Sequence, residues 1–354
     1  MHSSLAKAAM LMIVFVCVFL SIWEVTWRKK GFGTYYDDNA SLWADKRAKV
    51  YAPQDSTTVF IGSSRIKFDL DIPTWEKLTG QSAIQLAIVG SSPFQLLLDL
   101  AADPDFKGKV VLDITEPLYF SSAPPYAAKP NEFVGYFRKW TPSERFSFQV
   151  SRRLESTFAF LNKEYLSLSG LLSQADLPRR EKVFIFPYFP HQFAVTEFSR
   201  QTKMMDEFVR DTSLQQMQQR NWITLFDAAK QFPPPPPGTI DKIFAETKSA
   251  IEQIKARGGK VLFVRTPVSG PMLDGEMQGF PRDQYWDRLL SESNSPGIHF
   301  ADYPETSNFI CPEWSHLSPA DAVVYTGHLV RQMQEKGWNV YHPQQGKQAI
   351  ASNK

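Results

Sequence analysis

The chain has 354 residues, 43% of them hydrophobic and 21% charged, which excludes a disordered, collagen-like or coiled-coil polypeptide and leaves one large domain or two. Thirty-nine Lys and Arg against 37 Asp and Glu leave a formal charge of +2, so no general field draws nucleic acid. Two cysteines, Cys17 and Cys311, exclude a disulfide scaffold, and six histidines leave little material for a multi-metal centre.

Residues Ala8 to Trp23 (AAMLMIVFVCVFLSIW) carry no charge, and Arg28-Lys29-Lys30 closes the apolar run. A helix needs about 20 residues to cross the hydrocarbon layer, so residues 1–30 read as a transmembrane anchor. No small-x-small cleavage site follows, which favours an uncleaved anchor over a removed signal. The competing reading is a buried N-terminal helix of a soluble protein. The basic cluster after the span places the large domain in the cytoplasm by the positive-inside rule. Residues 31–56 are mixed and polar and read as a juxtamembrane linker.

The folded body is expected to start at Thr57–Ile61, a β-branched and aromatic strand broken by Gly62-Ser63-Ser64-Arg65. A helix over 72–78, a strand over 83–89 closed by Gly90-Ser91, a helix over 94–101 and a strand over 109–114 follow. This alternation, with apolar strands, predicts an α/β fold: three α/β/α layers around a central parallel sheet. Residues 117–180 are aromatic and loop-rich, exceed an ordinary crossover, and read as an insertion or cap with helices over 143–160 and 163–173. A strand over 183–186, a helix over 197–220 and a strand over 222–226 are expected next. Pro233 to Pro237 form a polyproline II spacer or, alternatively, a ligand for an aromatic groove. Helix 240–256, strand 260–264, helix 282–290 and strand 298–301 restore the α/β order. Ser318-Pro319 opens a closing helix to Lys336, Ser as cap and Pro at the first helical position. The α/β domain thus covers 57–340, with a tail over 341–354.

Ligands of open parallel sheets collect at the carboxyl ends of strands. Four points there carry chemistry. Gly62-Ser63-Ser64-Arg65 offers a sharp turn with an exposed serine and free backbone N–H groups. Gly90-Ser91 offers a second such turn. Arg265 ends the strand KVLFV. Glu313 and His316, three residues apart, share one face of a turn, so Glu313 can orient the imidazole while its other nitrogen faces Ser64. Arg65 and Arg265 each read either as holders of an anionic or sugar substrate or as structural ion-pair partners. Cys311 reads as a small buried hydrophobe, and Asp69 and Asp71 as turn residues. His191, His299, His328 and His342 show no metal spacing, and neither a metal nor a cofactor is expected.

The blocks Phe60-Ile61-Gly62-Ser63-Ser64-Arg65, Leu86-Ala87-Ile88-Val89-Gly90-Ser91 and Glu313-Trp314-Ser315-His316-Leu317 resemble the SGNH/GDSL superfamily of serine esterases and acyltransferases. The blocks span 57–336, although only about 30 residues carry the match. The N-terminal anchor and the Gly-Ser-Ser-Arg variant resemble its extracytoplasmic branch, which includes the alginate O-acetylation proteins and the D-alanine transfer protein of teichoic acids. The resemblance implies a flavodoxin-like sheet order, Ser64 as nucleophile, His316 as base, Glu313 as orienting acid, and an oxyanion hole from the turns Gly62–Ser63 and Gly90–Ser91. Three departures stand out: Ser63 replaces Asp, Glu313 replaces Asp, and Thr115-Glu116-Pro117 follows the third strand where the family has an oxyanion Asn.

The function so implied is a membrane-anchored serine esterase or O-acyltransferase, with acetyl the expected acyl group. It acts on a polysaccharide or cell-envelope glycan beside a membrane acyltransferase or export complex, with its large domain extracytoplasmic or periplasmic. This orientation and the positive-inside reading point opposite ways. The alternative is a catalytically weak or inactive glycan-binding or scaffolding subunit. A cytoplasmic accessory domain is a third reading.

Overall fold

The structure, a computed structural model, describes residues 2–173, 184 and 186–338. Val183 and Ile185 of the expected strand over 183–186, and the whole tail over 341–354, lie outside them. The chain forms two compact units, Met1–Asp37 with Thr141–Glu181, and Asp38–Trp140 with Lys182–Lys354.

The larger unit is a three-layer α/β/α domain around a five-stranded parallel sheet. Its strands are β1 (Thr57–Ile61), β2 (Ser82–Gln85), β3 (Lys109–Asp113), β6 (Lys260–Arg265) and β7 (Gly297–His299), in the order β2-β1-β3-β6-β7. A separate antiparallel pair joins β4 (Val195–Thr196) to β5 (Thr202–Lys203). The central strands are apolar at nearly every position because both faces of the sheet are covered. Their period of two sorts the side chains. Val59, Ile61, Val110, Leu112, Val261 and Phe263 face one core, with the helices Phe94–Ala102, Thr239–Ala256 and Trp286–Ser293. Phe60, Val111, Leu262 and Val264 face the other, with the helices Ile72–Thr79 and Pro319–Glu335.

Local chemistry sets several boundaries. Asp71 accepts from Thr74 N–H to cap the helix Ile72–Thr79, Pro73 sits in its first turn, and Gly80 at φ 67° ends it in the left-handed region. Ser318 accepts from Asp321 N–H at the start of the closing helix, as its Ser-Pro sequence predicts.

The smaller unit holds the helix His2–Lys29. Its stretch Ser4–Lys29 is long and apolar enough to cross a membrane, at about 39 Å by the helical rise, and none of its apolar window is buried. At its foot, Glu24 accepts from Ala159 N–H (3.0 Å) and Phe160 N–H (3.1 Å), while Arg28 Nη2 donates to Thr157 O (3.0 Å).

Several expectations need correction. The linker over 31–56 is not all linker: the helix Ala40–Arg47 buries Trp43, whose indole donates to Leu86 O (2.9 Å), and Arg47 pairs with Asp99 and Asp103. The stretch 117–180 divides between the units, because Phe133 and Val134 of the helix Pro124–Arg138 enter the sheet core while 157–160 hold the N-terminal helix. The helix over 197–220 and the strand over 222–226 are replaced by the β4–β5 hairpin and the helices Asp206–Arg210 and Thr212–Ala229. The apolar residues of 222–226 pattern as a short strand, but they continue a helix capped by Asp211. The structure adds a helix over Gly270–Gly279, and the one expected over 282–290 lies at Trp286–Ser293.

Candidate active site

Strand order reverses at β1, which has β2 on one side and β3 on the other. The crevice beyond the carboxyl ends of β1 and β3 is where open α/β sheets receive ligands. Gly62 leaves β1 there. A Cβ on it would lie 2.6 Å from Ile66 Cγ2 and 2.8 Å from Asp113 Cβ, so only glycine lets the turn pass the end of β3. Ser63 occupies the N-cap position of the short helix Ser64–Asp69 in extended geometry but makes no side-chain cap bond, and its Oγ is buried with no hydrogen-bond partner. Ser64 is the first helical residue and is half-buried, so its N–H is among those with no intrahelical acceptor.

The other half is the turn Glu313–Leu317. His316 Nδ1 lies 2.9 Å from Glu313 Oε1, and that oxygen also accepts from His316 N–H at 2.7 Å. Glu313 Oε2 accepts from the Trp222 indole N–H, on the helix Thr212–Ala229. Both side chains are buried. With the carboxylate holding Nδ1–H, Nε2 is left as the basic nitrogen, and it is buried without a partner. Phe68 (centroids 4.3 Å), Phe193 (5.8 Å) and Trp222 (6.0 Å) pack on the imidazole. Trp314, between Glu313 and His316, has φ 79°. This left-handed conformation in a bulky residue costs on the order of 1–3 kcal/mol and is held by Ser269 N–H on Trp314 O and Trp314 N–H on Cys311 O.

Serine helix and histidine turn are laced together. Arg65, next to Ser64, donates through Nε to Ser315 Oγ, next to His316 (3.3 Å). Asp69, at the far end of the helix, accepts from Leu317 N–H (2.9 Å). Between these ties Phe68, one turn after Ser64 and hence on its face of the helix, packs tilted on His316. The second glycine turn is aligned by the sheet, since Leu86 N–H bonds Phe60 O and Ile88 N–H bonds Gly62 O. Gly90, two residues on, has φ +62° and open space where a Cβ would stand. Ser91 is buried and donates to Val89 O.

Arg65 and Arg265 are both buried, and both pair with Glu276. Arg65 Nη1 meets its Oε2 at 3.0 Å, and Arg265 Nε also donates to Glu116 Oε1 at 2.8 Å. Of their two sequence readings, this is the ion-pair geometry. Glu116, in the segment lacking Asn, is thereby engaged. Burial pushes the Asp113 carboxyl up to about 6, with Arg65 and Arg265 restraining the rise. Burial pushes the Asp69 carboxyl well above its usual range, opposed by the Leu317 N–H and raised further by Asp113 and Glu313. Burial likewise raises the Cys311 thiol far above its ordinary value, which removes it as a thiolate nucleophile.

Asp71 is a helix cap, close to its turn reading, but Asp69 is a buried tie to the histidine turn. Trp222 and Arg200 also belong to this network. Arg200 donates to Gln85 O (2.8 Å) and Ala87 O (3.0 Å), fixing the strand extension that leads to Gly90. Nothing in local spacing signals either residue, since each reaches its partner across more than 90 positions. Among the described residues, no group of three or more His, Cys, Asp and Glu side chains is placed to hold a metal ion. No protein-family model matches the chain, and no curated protein matches it.

Proposed function

We propose that the chain is a membrane-anchored serine esterase or O-acyltransferase of SGNH type, with Ser64 as nucleophile, His316 as general base and Glu313 as orienting acid. The observation that carries this reading is the double tie, Arg65–Ser315 and Asp69–Leu317, which holds the helix that Ser64 opens against the turn that carries an oriented, unpartnered His316 Nε2. The sheet order, which is 2-1-3-4-5 when only its own strands are counted, supports the flavodoxin-like assignment.

In the proposed reaction Ser64 Oγ attacks an ester carbonyl as its proton passes to His316 Nε2. The tetrahedral oxyanion is met by backbone N–H groups of the serine turn and the Gly90–Ser91 turn. Collapse expels the alcohol, which takes the proton back from His316, and leaves an acyl-Ser64. Water or a sugar hydroxyl, deprotonated by His316, then releases or accepts the acyl group. The acyl group is proposed to be acetyl and the acceptor a polysaccharide or envelope glycan, with the domain outside the cytoplasm beside a membrane partner.

A second reading, a glycan-binding or scaffolding subunit with a weak site, is favoured by the residues after β3: no Asn is present there, and Glu116 is committed to Arg265. Incubation with a chromogenic acetyl ester and a fluorophosphonate decides between them. The enzyme reading expects turnover and labelling that vanish in Ser64→Ala and fall by at least about 10³-fold in His316→Ala. A folded protein that binds glycan but neither turns over nor labels would establish the second reading.

A further inference from the structure

The smaller unit contains an amphipathic surface that the proposed chemistry does not use. The helix Pro142–Glu155 opens on a capping box between Thr141 and Glu144. It turns Phe148 and Glu155 inward. On the opposite side Phe146, Val150 and Leu154, spaced four apart, form one stripe, exposed at 73%, 46% and 45%. Arg153, seven residues after Phe146 and three after Val150, lies at its edge. Singly exposed apolar residues need no explanation, but an aligned apolar stripe does.

The position of this helix along the chain says what covers it. Its C-terminal end runs directly into Thr157–Phe160, the residues gripped by Glu24 and Arg28. Those two side chains stand just past the uncharged run Ala8 to Trp23. Trp23 and Trp27 flank them, with ring centroids 5.6 Å apart, and amphipathic rings of this kind favour the headgroup level. If the N-terminal helix spans a bilayer, Glu24 and Arg28 therefore lie at its surface, and so does the end of the helix Pro142–Glu155.

We propose that the helix Pro142–Glu155 lies in the membrane interface beside the spanning helix, with Phe146, Val150 and Leu154 among the acyl chains. The chain then meets the bilayer twice, through a span and through a surface helix. This rests on the N-terminal helix being a span and is independent of the catalytic reading.

The test uses the full chain with Cys17→Ser and Cys311→Ser, carrying a nitroxide at Val150→Cys or at Leu11→Cys. It is reconstituted in vesicles of phosphatidylcholine and phosphatidylglycerol. Relative accessibility to oxygen and to a water-soluble nickel chelate reports depth. The proposal expects the Leu11 label in the hydrocarbon and the Val150 label about 5–10 Å below the surface. A Val150 label in water with the Leu11 label in lipid overturns the surface helix and leaves the span standing. Both labels in water overturn both. A Val150 label shielded from oxygen and chelate alike means that protein covers the stripe, which also overturns the proposal.

Discussion

Trp222 shows how much a single donor can contribute at this site. Its indole N–H satisfies the Glu313 oxygen that His316 does not use, and its ring packs on the imidazole. Trp222→Phe retains an aromatic face and removes only the N–H. A hydrogen bond to a charged group is worth about 1.5–3 kcal/mol, so the proposed serine mechanism expects fluorophosphonate labelling of Ser64 to slow by about tenfold or more. Unchanged labelling would take the indole out of the chemistry. Asp113 makes a prediction about pH. Its pKa is about 6 in the folded chain against 3.8 as the ordinary value. Between these values the folded state holds a proton that the unfolded state has lost, so this group's contribution is most favourable below about pH 4 and declines as pH rises to 6. Asp113→Asn has no such titration. Urea midpoints at pH 4 and pH 7 should therefore show the variant gaining on the parent as pH rises, by up to about 3 kcal/mol. A constant difference across that range would contradict the assignment.

At the scale of elements, a six-residue helix is too short to hold itself, so tertiary ties must orient it. Asp69 supplies one at its last residue. Asp69→Ala leaves the buried Leu317 N–H without an acceptor, at a cost of about 1–3 kcal/mol. Amide exchange should quicken at Leu317 while the amides of β1 and β3 keep their protection. Exchange that quickens uniformly would mean that Asp69 supports the whole fold rather than this junction. The elements best read from sequence are those with their own punctuation. The helix Ile72–Thr79 carries its Asp cap, early Pro and terminal Gly, and the closing helix its Ser-Pro start. The stretch 222–226 lacked such marks. Ile223, Leu225 and Phe226 pattern as a strand only until Asp211, eleven residues earlier than Trp222, is seen to cap one long helix.

For the whole molecule, the two units join segments distant in sequence, and Glu24 shows how. One carboxylate on the N-terminal helix caps two backbone N–H groups 135 and 136 positions away. Glu24→Ala should raise amide exchange at Ala159 and Phe160 and leave the five-stranded sheet unchanged. Loss of protection in the sheet would show that the units do not open separately. The departure of 31–56 from a plain linker has the same long-range origin. Trp43 and Arg47 find Leu86, Asp99 and Asp103 across some 40 to 56 positions, which no window of local sequence contains.

Apolar strands at short intervals, alternating with capped helices, determined from sequence alone that the chain would build a covered parallel sheet, because hydrophobic period and turn chemistry are local properties. The same local reading marked Ser64, Gly90, Glu313 and His316 as turn residues at strand or helix ends, and three-residue spacing was enough to pair Glu313 with His316. Which distant groups would meet them was decided only by tertiary structure. Burial in one crevice turned Arg65 and Arg265 toward Glu276, brought Trp222 to Glu313, and made Asp69 the link between serine helix and histidine turn. A buried polar group must find a partner wherever the fold provides one, and that partner is set by packing rather than by sequence distance.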